Sequence, residues 1–177
     1  ENPDIRINAH LSGRRCTLSF DASGNSLHER GYRLRGTAAP LKETLAAAII
    51  DLSGWDTQTP FIDPMCGSGT LPLEAALKAL KIAPGLFRKK FGFFTWPDFD
   101  ESLWQRLTEE AQAKMHKQPE SPILGFDASR SAITTALENS KRAGLTRAVH
   151  FERRSIETLQ PTGEKPGVVI VNPPYGE

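Results

Sequence analysis

Three stretches of this chain carry residues whose types and spacing could do chemistry. The last of them, Asn172-Pro173-Pro174-Tyr175, follows the apolar run Val168-Val169-Ile170-Val171. Two prolines stiffen the segment and remove two N–H donors, so its carbonyls stay free. The Asn172 side-chain oxygen and the Pro173 carbonyl are then two fixed acceptors, and Tyr175 adds a flat face. An exocyclic amine, as on guanine, adenine or a glutamine side chain, is a poor nucleophile because its lone pair is delocalised into a π system. Acceptors that hold its two hydrogens favour a pyramidal nitrogen with the lone pair aimed at an electrophile, while Tyr175 stacks on the base. Such catalysis rests on positioning and electrostatics, since an amide is no base. The plain alternative is an ordinary turn after a strand.

The second stretch is Asp63-Pro64-Met65-Cys66-Gly67-Ser68-Gly69-Thr70. Gly67 and Gly69 lack Cβ atoms, so backbone can turn tightly and approach a ligand closely. The helix start that follows offers unpaired N–H groups to an anionic group. Asp63 can accept hydrogen bonds from an ammonium or an ordered water. A tight strand-to-helix turn without a ligand is the bland reading. No Gly-Lys-Ser/Thr follows, so this is no Walker loop, and the third glycine of a dinucleotide fingerprint is missing. The third candidate is Asp127, which ends Ile123-Leu124-Gly125-Phe126. A carboxylate there suits the two hydroxyls of a ribose. It equally suits a helix N-cap.

These residues need a scaffold that delivers them to one place. Residues 41–54, 70–83 and 129–144 have helical spacing, and Pro72 sits early enough in its helix to be tolerated. Residues 59–63, 121–127, 148–154 and 165–172 read as apolar strands. Alternation of β and α with unbroken apolar strands predicts an α/β fold, a mostly parallel sheet with helices on both faces. Before it, residues 5–11 and 14–24 predict a hairpin turning at Ser12-Gly13. Residues 83–115 break the βα rhythm as an aromatic and charged insertion whose second half is helical.

Composition excludes other classes. The 177 residues suffice for one domain or a domain with an appendage, and 38% hydrophobic with 24% charged residues is ordinary for a globular protein. No apolar run approaches the roughly 20 residues of a membrane span. Cys16 and Cys66 make neither a disulfide framework nor a zinc site, so no metal is expected and a reducing cytoplasm is the expected compartment. With a net charge of +1, any nucleic-acid surface must be local.

Taken together, the motifs resemble the class I S-adenosylmethionine-dependent amino-methyltransferases. The segments PDIRINAHL, LHERGYR, APLKETLAAAI, DPMCGSGTLPLEAA, APGL, GFDAS and VNPPYGE are similar to the bacterial large-subunit 23S rRNA guanine-N2 methyltransferases, a group often labelled N6-adenine-specific DNA methylases. The resemblance runs over essentially the whole chain. It implies a Rossmann-like methyltransferase domain over residues 31–177, cut off after the NPPY strand, with residues 1–30 as the trailing hairpin of a THUMP-like RNA-binding domain. It also implies fusion to further domains, often a second methyltransferase. By residue, it implies that Asp63, Pro64, Cys66, Gly67 and Gly69 hold the methionine part of S-adenosylmethionine. Asp127 would hold the ribose, with Ala128 beside the adenine, and Asn172, Pro173 and Tyr175 would hold the target guanine. The family usually places an aspartate on the adenine amine after the third strand; this chain has Ser155 followed by Ile156 there. A serine hydroxyl or the backbone can accept that bond instead.

A guanine amine inside a helix is out of reach, so the base must flip out or be single-stranded. Arg88, Lys89 and Lys90 stand among Phe87, Phe91, Phe93, Phe94 and Trp96, which suits phosphates and unstacked bases of 23S rRNA. The bland alternative packs the aromatics on the core with the charges in water. Arg30, Arg33 and Arg35 form a second basic cluster. Adenine N6 in DNA would use the same mechanism, and a cofactor-binding module without activity is a third reading.

Overall fold

The computed structural model describes residue 3 and residues 5–33, 41–160 and 166–174. The expected hairpin is present: β1 (Ile7–Ser12) pairs antiparallel with β2 (Arg15–Phe20) around a left-handed Gly13. Every residue of both strands is exposed, and the two strands form a sheet of their own.

The second sheet has four parallel strands: β3 (Phe61–Asp63), β4 (Ile123–Asp127), β5 (His150–Arg153) and β6 (Val168–Val169), in the order β5-β4-β3-β6. Its registers align Phe61 with Ile123 and with Val168, and Asp63 with Gly125. Phe61, Asp63, Ile123 and Phe151 point to the buried face; along β3 and β4 the intervening Ile62 and Leu124 are half-buried. β6 is shorter than the apolar run that encodes it, although the Ile170 N–H still reaches the Ile62 carbonyl.

Four helices complete the described chain: α1 (Glu43–Leu52), α2 (Thr70–Ala79), α3 (Glu101–Ala113) and α4 (Arg130–Arg142). α2 packs on β3 and β4, α4 on β4 and β5, and α1 on α2. Ala46 and Ile50 recur at helical spacing on the buried stripe of α1. α2 is buried on nearly every side. Its Leu73 is wholly buried, as are Ile50 and Ile123 nearby, and each such side chain contributes about 2 kcal/mol by leaving water. α1 begins at Glu43; Pro40, a residue suited to the first turn of a helix, lies outside the described residues.

The insertion forms two short 3-10 turns (Pro84–Phe87 and Gly92–Thr95) and then α3. Its aromatics pack mainly on one another. Phe91, Phe93, Phe94, Phe99 and Trp104 make a ring cluster with centroid separations of 5.0 to 5.9 Å.

Candidate active site

β3 delivers Asp63 to the carboxyl edge of the sheet, and the chain then turns into α2. Asp63 is only 2% exposed, and its Oδ1 accepts the Met65 N–H at 3.1 Å. Burial pushes its carboxyl up to about 7; the Met65 N–H opposes that rise and the Asp127 charge adds to it. At neutral pH such a group is poised between its two forms, and a cation placed beside it favours the anion. Pro64 and Cys66 are buried next to it. Burial first, then the Asp63 and Asp127 charges, lift the Cys66 thiol above the usual range, so it is an uncharged wall and not a nucleophile.

Gly67 and Gly69 both have positive φ, 53° and 85°. They are glycine for different reasons. A Cβ on Gly69 would stand 2.8 Å from the Phe151 ring and 3.1 Å from the Ala136 Cβ, so Gly69 is where α2 starts against β5 and α4. A Cβ on Gly67 would meet nothing within 4 Å. Space is therefore open over Gly67, as a ligand lying against the backbone requires.

Asp127 at the end of β4 is bonded across to this turn. Its Oδ2 accepts the Gly67 N–H at 2.9 Å and its Oδ1 the Ser129 N–H at 2.8 Å. The N-cap of α4 is Ser129, whose side chain accepts from Ala132. The capping role open to Asp127 thus belongs to Ser129, and two N–H donors fix the Asp127 carboxylate at the strand end with lone pairs to spare. Asn139 braces the turn from the other side, its amide donating to the Ser68 carbonyl at 3.0 Å.

The remaining residues fall along the same edge. Ala128 is exposed just past β4, its carbonyl accepting from Arg153 Nε at 3.0 Å. Past β5, Ser155 precedes a 3-10 turn (Ile156–Thr158) and accepts on its carbonyl from Thr158, while Ile156 is exposed. Past β6 come Asn172, half-buried, and Pro173, exposed. Tyr175 lies outside the described residues. Read across the sheet, the candidates stand in one row: Asn172 after β6, Asp63 and the glycine turn after β3, Asp127 and Ala128 after β4, Ser155 and Ile156 after β5. Three inter-strand steps make that row about 14 Å long, which suits an extended nucleoside carrying an amino-acid arm. The chain leaves β3 toward β4 but returns to β6 on the other side. The carboxyl end of such a switch point is where open α/β sheets bind ligands.

The basic residues of the insertion divide. Arg88 spends its guanidinium on the carbonyls of Ser23, Asn25 and Ser26, each at 2.9 Å, and lies over the Phe91 ring. Lys89 and Lys90 are exposed. Arg35 lies outside the described residues.

Sequence reasoning passed over two buried carboxylates. Glu74 on α2 accepts from Tyr32 at 2.9 Å and pairs with Arg30 at 3.1 Å. Glu43 on α1 pairs with Arg33 at 2.9 Å, and Arg33 also donates to Thr70 Oγ1 at 2.8 Å. Burial raises the Glu74 carboxyl, with Arg30 opposing. These pairs strap residues 30–33 over the start of α2. The signal was a lone glutamate inside the otherwise apolar run Leu71-Pro72-Leu73-Glu74-Ala75-Ala76-Leu77. Among the described residues no cluster could hold a metal ion, and no helix is long and apolar enough to cross a membrane.

Comparison with known proteins identifies the family of the chain. The UPF0020 family model, described as the RMKL-like methyltransferase domain, matches residues 30–177. The ribosomal RNA large subunit methyltransferase K/L of Methylococcus capsulatus is 49% identical over 185 residues, covering all of this chain and 25% of its own length. SMU.472, provisionally assigned as a methyltransferase and solved in complex with SAH, superposes with a TM-score of 0.89 at 39% identity, over 98% of this chain and 45% of that one. A Listeria monocytogenes protein, solved and named as a predicted N6-adenine-specific DNA methylase, gives a TM-score of 0.88 at 38% identity over 98% of this chain and 45% of that one. The chain thus spans a quarter of that curated relative's length. With the fold, the glycine turn and the NPP loop on one sheet edge, the chain belongs to the UPF0020 family of RMKL-like methyltransferase domains.

Proposed function

We propose that the protein transfers a methyl group from S-adenosylmethionine to the exocyclic N2 amine of a guanine in 23S ribosomal RNA. The observation that carries this reading is the row of candidate residues along the carboxyl edge, with the NPP loop and the glycine turn on the neighbouring strands β6 and β3. The SAH complex of SMU.472 supports the cofactor, and the name of the Methylococcus relative supports the ribosomal RNA.

In this reading Asp63, Pro64, Cys66, Gly67 and Gly69 receive the methionine part, with the Asp63 carboxylate facing its ammonium. Asp127 accepts the ribose hydroxyls on the lone pairs that Gly67 and Ser129 leave free. Ala128, Ser155 and Ile156 flank the adenine. When bound, the cofactor supplies an electrophilic methyl on a sulfonium. The Asn172 side chain and the Pro173 carbonyl hold the guanine amine so that its lone pair faces that methyl in line, and Tyr175 stacks on the base. Lys89 and Lys90 meet the RNA, on a wall that Arg88 holds in place. Asn172 takes no proton; its work is orientation. The S–C bond would break as the N–C bond forms, S-adenosylhomocysteine would leave, and the amine's surplus proton would pass to water. Residues 1–30 would close a THUMP-like RNA-binding domain ahead of the methyltransferase domain at 31–177, and the reaction would be cytoplasmic, in a protein carrying further domains.

The test offers unmodified 23S rRNA and unmethylated genomic DNA to the full-length protein with labelled S-adenosylmethionine, and identifies the labelled nucleoside by mass spectrometry. N2-methylguanine from RNA alone is expected. N6-methyladenine from DNA would keep the amine chemistry and overturn the substrate. The Listeria protein's name is the observation on the side of that second reading.

A further inference from the structure

Two basic clusters that lie far apart in sequence meet in space. The segment after the hairpin, the start of α1, the end of α4 and the first turn of the insertion line one groove of about 1150 Å³. Seven of its lining residues are lysine or arginine; Glu29 and Glu43 are its carboxylates. The cations are of two kinds. Arg30 is paired with Glu74 and Arg33 with Glu43. Arg142 donates to the Tyr32 carbonyl at 2.9 Å, and Arg88 to three carbonyls of the 23–26 loop. These four arginines are struts, each tying one wall to another. Bonds to carbonyls do not neutralise charge, so Arg88 and Arg142 still contribute positive potential to the groove. Lys42, Lys89 and Lys90 differ: all three are exposed, and none makes an ion pair among the described residues.

The groove is tied to the start of α2. Arg33, on its lining, donates to Thr70 Oγ1, and Thr70 is the first residue of α2, directly after Gly69. One wall of the groove is therefore bonded to the residue that follows the glycine turn. A recessed channel lined by exposed lysines that make no ion pair among the described residues, with Phe87 beside them, fits a chain of phosphates better than a folded acidic protein. We propose that this groove is the track for the single-stranded RNA flanking the target base, with Lys42, Lys89 and Lys90 contacting phosphates and the four arginines holding the walls apart. The proposal rests on the reading of the protein as an RNA methyltransferase. It adds Lys42 to the contact set and removes Arg88 from it.

The test compares the full-length protein with the combined variant Lys42→Ala, Lys89→Ala, Lys90→Ala. A fluorescent single-stranded RNA oligonucleotide and DNA of the same sequence are titrated at stepped salt, alongside cofactor titration, thermal melting and methylation of 23S rRNA. The variant should bind the RNA about tenfold more weakly, and its plot of log affinity against log salt should be shallower by about 2, near 0.7 for each lost phosphate contact. Cofactor affinity and melting temperature should not move, because all three side chains are exposed. An unchanged salt slope in a variant whose wild type methylates rRNA would overturn the groove alone. Wild type that neither binds nor methylates RNA would overturn the parent reading and the groove with it. Lysine-dependent binding of the DNA without binding of the RNA would overturn the RNA assignment.

Discussion

The glycine turn and the insertion are both held against a neighbouring segment at a glycine, yet they are secured by different forces. At the turn, Gly69 abuts Phe151 and Ala136 in the core, and hydrogen bonds from Gly67 to Asp127 and from Asn139 to Ser68 fix the backbone beneath. In the insertion, a Cβ on Gly92 would come within 2.5 Å of the Asp21 carbonyl, but the surroundings are half-exposed rings and the single arginine Arg88. Satisfied polar bonds in a buried setting define one geometry, whereas ring contacts tolerate sliding. The carboxyl edge is thus held by buried polar bonds, and the insertion by half-exposed rings together with Arg88.

That contrast can be tested by breaking each side in turn. The largest effect is expected at the edge itself. Asn172→Ala in the full-length protein should lower turnover by about two to three orders of magnitude while cofactor affinity stays near wild type; equal loss of both would end the orienting role. Gly69→Ala should cost about 3 kcal/mol of global stability, from a strained φ plus a core clash, read by denaturant unfolding. Gly92→Ala, also a clash against backbone, should loosen only the hairpin and insertion, seen as faster amide exchange there with cofactor binding retained. A global loss as large as that of Gly69→Ala would erase the distinction. Asp127→Ala should weaken cofactor affinity about tenfold, since it removes both the ribose acceptor and the bond to Gly67; an unchanged dissociation constant would leave Asp127 with a purely structural role. The last test is a pH profile. The folded Asp63 carboxyl, raised to about 7, binds a proton that the unfolded chain has released above about 4. Stability of the cofactor-free protein should therefore fall as pH rises from about 4 to about 7, and Asp63→Asn should flatten that slope. Cofactor affinity should rise over the upper part of the same range, because the anion is what faces the ammonium.

The contrast also explains what could be read from sequence. Strand and helix order was legible because β3 and β4 are largely buried apolar runs, β5 is centred on the buried Phe151, and α1 and α4 carry helical periodicity. The glycine turn and the NPP loop were legible because glycine and proline constrain backbone locally. What escaped was set by distant partners. Glu43 looks like a solvent-facing helix residue until Arg33 arrives from a loop, and Glu74 stands out in its apolar run without a sign of its partner Arg30. Arg88 reads as a nucleic-acid contact until the 23–26 carbonyls surround it. Asp127 read equally as a cap, and only the cross-strand bond to Gly67 and the capping by Ser129 separate the two roles.

The strap over α2 has a kinetic consequence. Arg142 donates to the Tyr32 carbonyl across a sequence separation of 110 residues, and Arg30 reaches Glu74 across 44. Closing loops of that length carries an entropic cost that is recovered only once α2 and α4 have already found the sheet. On a growing chain, residues 30–33 emerge early, can pair with α1 and α2 first, and gain their last tie only when Arg142 at the end of α4 has been made. The strap beside the glycine turn is therefore complete only after the helices that anchor it.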